Sequence, residues 1–599
     1  MSDEILPVLE WPAYEVNPNG GDPITQDLNA PYDKGDLCWL LVSTVICWQI
    51  TPAIGFLYAG MHRRKAALTM VFQSLFCACA CGIQFWVYGY SLYMSHTESA
   101  VWGDLSLAGL HNVMAFPSQA NTGIPDILYA AFGMTFVTAT AMILAGAMLE
   151  RGRLFPSMVF LLCWTTFVYY VLAYWEWNPS GWLYQLGVYD FAGSGPVHIA
   201  SGFGALAWSL MLGPRVRSDS VFDSTKHDPA TSTAEAQPAT ASSSGSTNGQ
   251  DPSAREKTAA TATTPTAAAE AAAAATEVRK HENRHHTRPH NPFLVGLGTV
   301  LIWFGWFAFN GASTANLSIR SIYVVVNTNL AACGGGLAWA GLEYLHEHFD
   351  FRRHSHGSNK KTDDSVELGP VTTAALGGGG KFSIVGFCSG IIAGLVGITP
   401  AAGFVPVYVA SLIGAVTATA SFYVVRHKHR LVLFGHVLDD GLDIFAIHGV
   451  GGVVGDILTG FFAATFVPAL DGASGATYAG GWWEGNYIQM GYQLAAALTC
   501  ASWSFVVSCA LLFVINKIPG LHLRATEEEE IRGLDFKYLS DSLGGDWDSE
   551  MGEDGGHVRR YVLQAYEGVP VPVAAVAGPA AAPGLGGVKA DGGEVVKQD

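Results

Sequence analysis

The chain has 599 residues, 50% of them hydrophobic and 14% charged, against about 25% charged in globular proteins. That deficit excludes an ordinary water-soluble domain and points to lipid. The net charge of −18 sits largely in polar segments outside the apolar stretches, where it keeps loops and tails solvated, and it gives no basis for a nucleic-acid partner.

The first thirty residues lack a basic region followed by an apolar one, so no cleavable signal peptide is expected, and 1–35 reads as an extracellular N-terminal segment. Each crossing of the hydrocarbon needs about 20 mainly apolar residues. Such stretches recur near 36–60, 66–95, 126–149, 154–175, 194–214, 293–313, 319–345, 382–400, 404–425, 442–465 and 488–516. The expected fold is an all-α polytopic membrane protein with eleven transmembrane helices, one to five within 36–217 and six to eleven within 289–517. Arg63-Arg64-Lys65, Arg151 with Arg153, the flanks of 215–292, Arg352-Arg353 with Lys360-Lys361, and Arg426 with Lys428 and Arg430 occupy alternate intervals. The opposite intervals hold little beyond Lys34 and Arg320. The positive-inside rule then places the N-terminus outside and the C-terminus inside. Five plus five spans make two halves of opposite orientation, an inverted repeat, with an eleventh helix left over.

Between the halves, 218–288 is rich in Ala, Thr, Ser and Pro. It cannot bury a core, and a disordered cytoplasmic insert is expected. After the last span, 518–599 reads as a cytoplasmic tail, ordered to about 535, with Thr526 before a run of glutamates as a helix start. Ser540, Ser542 and Ser549 stand in acidic surroundings as candidate phosphorylation sites for a kinase. The ten cysteines lie in or beside apolar stretches without C-x-x-C spacing. They read as small apolar fillers, giving neither a disulfide scaffold nor a metal site, and no cofactor is expected.

An ionisable residue inside an apolar span marks a substrate path by default. The fifth span has Asp190 at its mouth and His198 within; the tenth has Asp443 and His448. One buried histidine is ordinarily a packed core residue. Two, each on a glycine-rich span and each fifth in its half, read as a paired site. In the sixth span Trp306, Phe309 and Ser313 stand at i, i+3 and i+7, on one helical face. In the third, Phe132 and Phe136 share a face. Aromatic stripes are usually core, but here a hydroxyl shares the face and glycines allow close helix approach. An enzyme site at His436, Asp439, Asp440, Asp443 and His448 lacks a matching metal-ligand set.

Four segments, Asp190-Phe-Ala-Gly with Val197-His198, Gly305-Trp-Phe-Ala-Phe-Asn-Gly311, Gly394–Gly403 and Asp443-x-Phe-x-x-His-Gly449, resemble the ammonium transporter family (Amt/Mep/Rh), and most closely its fungal Mep members. The resemblance runs in order from about 36 to 535, leaving out the 218–288 insert and the last sixty or so residues. It implies a homotrimer in the plasma membrane, with one narrow pore per subunit, taking up ammonium (and methylammonium) and not acting as an enzyme. By motif match, Trp177, Phe136 and Ser313 resemble the ammonium-recruitment site and Phe136 with Phe309 the gate. Phe132 and Trp306 line the path, His198 and His448 match the twin histidines, and Asp190 matches the aspartate that supports cation recognition. The chain departs from the family pattern at Trp175-Glu176-Trp177, where a His-Trp pair is commoner, and at Ala308 beside the gate. A desolvated cation over aromatic faces gains roughly 2 kcal/mol, which compensates a dehydrating ammonium only in part. Deprotonation beyond the gate is therefore expected, with ammonia and proton moving separately. A passive ammonia channel and an ammonium sensor are the alternative readings.

Overall fold

In lipid a spanning segment must satisfy its own backbone hydrogen bonds, and a helix does so within one segment. A computed structural model describes residues 20–148, 150–215, 289–357, 382–433, 436–472 and 478–540. The expected 218–288 insert, residues 1–19, and the tail beyond 540 with Ser542 and Ser549 lie outside the described residues. In chain order the apolar helices are α1 (Lys34–Met61), α2 (Arg64–Met94), α3 (Asp126–Met148), α4 (Leu154–Leu186), α5 (Ser194–Leu212), α6 (Pro292–Thr314), α7 (Ile319–His346), the shorter α8 (Ile384–Ile398), α9 (Val407–His427), α10 (Phe445–Phe462) and α11 (Ile488–Lys517). Ten are long and apolar enough to cross a membrane, and α8 is the exception. Apart from one antiparallel pair, Val432–Leu433 with His436–Val437, the described structure is helical.

The exception has a physical reason. Fifteen residues rise only about 22 Å, against a hydrocarbon core of about 30 Å. The helix stops before Pro400, and the chain continues as irregular backbone in which Thr399, Ala401, Ala402 and Val405 are fully buried. Irregular backbone at membrane depth is tolerated where protein covers it and answers its polar groups. Asn327 donates to the carbonyls of Ala402 (2.9 Å) and Val405 (3.0 Å), and Arg320 to that of Gly403 (3.0 Å). The N–H groups of Phe191 and Ala192 donate to Pro400 and Thr399. The segment is thereby stitched to the chain that enters α5.

Helix α1 packs on α6 and α5 on α10, while α7 lies against α8 and α9. The most apolar windows of α5 and α3 are 83% and 78% buried, against 33% for α11, so α3 and α5 are interior and α11 is peripheral. Val45, Ile83, Phe304, Leu337, Val506 and Phe513 are exposed along the spans, the arrangement expected where lipid is the solvent.

One end of the bundle is tied by ions. Glu150, between α3 and α4, meets Arg63 (2.8 Å) from the α1–α2 turn and Arg215 (2.9 Å) after α5. Arg215 and Arg151 both reach Asp439, before α10. The chain after α11 joins the same end. Helix α12 (Glu527–Arg532) is closed by a Thr526/Glu529 capping box, as the sequence predicts. Asp535 of α13 (Leu534–Tyr538) accepts the N–H groups of Leu68 (3.0 Å) and Thr69 (2.7 Å). Arg63, Arg151 and Arg215, from three of the basic intervals of the sequence, therefore meet at one end of the bundle.

Candidate functional site

Both histidine helices begin with the same local device. Ser194–Ile199 of α5 and Phe445–Val450 of α10 are wound as π-helix, and each stretch holds one histidine. Such turns break the 3.6-residue repeat and recur at functional sites. Ahead of α5, Asp190 accepts the N–H groups of Gly193 (2.9 Å), Ser194 (2.7 Å) and Gly195 (3.2 Å). Ahead of α10, Asp440 accepts those of Ile444 (3.1 Å) and Phe445 (2.9 Å). Each carboxylate answers the orphan donors and the positive end of its helix. Both acids stand eight residues before their histidine. The counterpart of Asp190 is thus Asp440 rather than Asp443, which has a φ of 60° and pairs with Lys428. Equal spacing is the signal in the sequence; Asp443 masks it by standing nearer the histidine.

Helices α5 and α10 cross at glycine. A Cβ on Gly202 would overlap the backbone of Gly449, so only glycine permits this approach. The crossing brings His198 Nδ1 to 3.2 Å from His448 Nδ1. Two ring nitrogens at that distance form one hydrogen bond, one donating and one accepting. His198 is fully buried and stacks on Trp306, with ring centroids 5.3 Å apart. The Trp306 indole N–H donates to Thr399 Oγ1 (2.9 Å), which fixes the ring.

From this pair an aromatic line runs through the bundle. Trp306 meets Phe309 at 5.7 Å, and Phe309 stacks on Phe136 at 3.8 Å with 20° between planes. Phe136 meets Phe132 at 4.9 Å and Trp177 edge-on at 5.8 Å. Ser313, one turn beyond Phe309, is half-buried and donates to the Phe309 carbonyl at 2.8 Å; no hydrogen bond joins it to Trp177 among the described residues. Asp190 reaches the line indirectly. Gly193, held at φ 110° by the Asp190 cap, packs under the Trp177 ring. The residues singled out in the sequence are thus one continuous line, Trp177, Phe136 with Phe132, Phe309, Trp306, His198 and His448, with Ser313 and Asp190 beside it.

On the other side of His448 a cavity of about 30 Å³ lies among Leu57, Tyr58, Ile302, Cys388, Ile392 and Ile447, room for about two water-sized molecules. The Tyr58 hydroxyl is turned to the Ile143 carbonyl (3.3 Å), which leaves the lining largely apolar. Sequence reasoning missed Thr399, Tyr58, Cys388 and Asp440. Thr399 lies in Ile398-Thr-Pro-Ala-Ala-Gly-Phe404, a motif legible in the chain, but its role depends on an indole from another helix.

Beyond the cavity the charges are paired. Burial pushes the Glu150 carboxyl up, but the His62 hydrogen bond and the charges of Arg63 and Arg215 outweigh it and hold it well below the usual carboxylate range. Burial pushes Asp440 up, to about 6, against the opposing charge of Lys428. Asp439, Asp440 and Asp443 are each committed to a base or a helix end. That commitment removes the basis for an enzyme metal site there.

The same chemistry has known relatives. The model of the Ammonium Transporter Family matches residues 38–234, 245–357 and 371–542. The chain belongs to the ammonium transporter family. This is a family of membrane transporters, not of enzymes. Ammonium transporter 1 of Schizosaccharomyces pombe is 40% identical over 524 residues, covering 88% of this chain and 85% of that protein. Ammonium transporter MEP2 of Saccharomyces cerevisiae is 37% identical over 524 residues, covering 87% of this chain and 86% of its own. The crystal structure of Candida albicans Mep2 superposes with a TM-score of 0.65 at 38% identity, covering 86% of this chain and 91% of that one.

Proposed function

We propose that the protein takes up ammonium across the plasma membrane by shedding a proton beyond the gate and passing ammonia and proton separately along the twin-histidine line. One observation carries the reading: the 3.8 Å stack of Phe136 on Phe309, followed past Trp306 by the His198–His448 pair. Rings in van der Waals contact leave no passage for a hydrated ion. A bare cation past them meets apolar walls, where its desolvation is severely penalised, whereas ammonia is neutral. Trp177, Phe136 and Ser313 recruit the cation through ring faces and the Ser313 oxygen. Phe136 and Phe309 gate it, and Phe132 and Trp306 line the approach. His198 and His448 relay, and Asp190 supplies the negative field.

The contacts of α1 with α6 and α5 with α10 support two inverted halves of five helices, with α8 and the buried segment 399–405 together making one crossing. The eleven-span, N-out/C-in topology follows, with the ionic end in the cytoplasm and 218–288 as a cytoplasmic insert. A homotrimer, and a kinase acting on the tail in an ammonium-sensing role, complete the proposal.

The test is current across proteoliposomes after an ammonium pulse, with potassium as control. A transient current for ammonium alone is expected. Internal alkalinisation without current would make the protein a passive ammonia channel, and silence in both would favour a sensor. His198→Ala should admit potassium; unchanged selectivity would remove the relay from the mechanism.

A further inference from the structure

Glu176, in the motif Trp175-Glu176-Trp177, takes no part in the aromatic line, yet it is 5% exposed in the interior. Its carboxyl lies against Cα of Gly195, the residue whose N–H reaches Asp190, so the two carboxyls are neighbours across one glycine. Glu176 Oε1 accepts the Cys500 thiol at 3.1 Å. Glu176 Oε2 is buried without any donor. A third carboxyl, Asp456 of α10, is 1% exposed and accepts the Ser194 hydroxyl. The titratable groups beside Glu176 are Cys500, Asp190 across Gly195, and Asp456 through Ser194, and no ion pair to a base involves Glu176 among the described residues.

Donors are shared unequally in this cluster. Asp190 holds three backbone N–H groups and the positive end of a helix, which suits an anion. Glu176 has only a thiol, a weak donor. Two carboxylates within reach of one another and away from any cation do not both ionise. A proton between them removes the repulsion and supplies Oε2 with a partner, because a protonated carboxyl is itself a donor.

We propose that Glu176 is a proton-holding site, with Oε2–H donating to Asp190, so that a neutral acid positions the charged cap of the His198 helix. Glu176 is then a positioning residue: it acts on the line through Asp190, Gly193 and Trp177. Its protonation stands on geometry alone, and only the consequence for current rests on the transport reading.

The full chain in liposomes at about pH 8, above the range in which Asp440 titrates, should show a carboxylic-acid carbonyl band in the infrared. Carbon-13 glutamate should shift one component of this band, which separates Glu176 from the buried aspartates Asp456 and Asp126, and Glu176→Gln should remove the shifted component. A shifted component unchanged by Glu176→Gln overturns the assignment. Should that variant fail to assemble, absence of any shifted component in the labelled unsubstituted chain overturns it equally. For the positioning role, Gln retains an N–H for Asp190 and Leu does not, so Glu176→Gln should carry about tenfold more ammonium current than Glu176→Leu. Equal currents would reduce Glu176 to a space-filler. Absence of current in the unsubstituted chain would instead count against the transport reading and leave the infrared result standing.

Discussion

Asp190 and Asp440 are the same device in opposite surroundings. Each caps a π-wound helix start and stands eight residues before one of the paired histidines. Around Asp190 the other buried ionisable side chains are acids, Glu176, proposed above to hold a proton, and Asp456. Around Asp440 they include a base, Lys428, whose ammonium donates to the Asp440 carbonyl and to Asp443, and Arg215 lies nearby on Asp439. Local backbone chemistry therefore repeats between the halves while the field does not. An unpaired carboxylate, Asp190, at one end of the line and paired charge at the other would favour arrival of a cation at the first.

The sharpest way to break this comparison is to remove each cap. Asp190→Ala leaves three N–H groups without an acceptor and should cost about 4 kcal/mol, with ammonium current reduced at least a hundredfold in liposomes. Asp440→Ala likewise frees the N–H groups of Ile444 and Phe445 but spares the field around Asp190, and should lose far less current. Equal losses would mean that the surrounding field is irrelevant.

Next is Glu150, which joins three inter-helix segments at the ionic end. Glu150→Gln leaves Arg63 and Arg215 facing a neutral group and should cost about 3 kcal/mol, read as a lower unfolding midpoint in detergent. The sign of its pH dependence follows from the lowered folded-state value. Its contribution is complete above the ordinary value of 4.5 and is lost as pH falls through the lower folded-state value. The unsubstituted chain should show this acid limb and Glu150→Gln should lack it; an unchanged limb would place the titration elsewhere.

Smaller effects sharpen the contact between the halves. Gly202→Ala forces α5 from α10 at the Gly449 backbone and should destabilise by about 2 kcal/mol. Separating the histidines, it should lower current more than its stability loss explains; full activity would show that the 3.2 Å contact is dispensable. Thr399→Val removes one hydrogen bond to Trp306, about 1 kcal/mol, and a several-fold fall in current with normal assembly is expected. No change would mean that stacking on His198 holds the indole unaided.

By itself the sequence determined the helices, because hydropathy over twenty residues is a local property and lipid admits few alternatives. Nine of the ten long spans lie within three residues of the expected bounds. The fourth runs on to Leu186, because the aromatic segment after Trp175 stays helical around a short break. The aromatic and histidine positions were legible too, since i, i+3 and i+4 spacing and a resemblance of motifs both act along the chain. Tertiary structure alone decided what depends on a partner distant in sequence. Helix α8 ends early because Asn327, Arg320 and the Asp190 loop answer the irregular backbone behind it. Thr399 matters through an indole 93 residues away. Asp439 and Asp443, which in the sequence stand among candidate ligands, are taken by Arg215 and Lys428. Glu176 reads in the sequence only as a departure from the family's His-Trp pair; packing alone turns it into a buried carboxyl beside another. Hydrogen bonds and charge pairs are set by distance in space, and the order of residues does not contain that distance until the helices have packed.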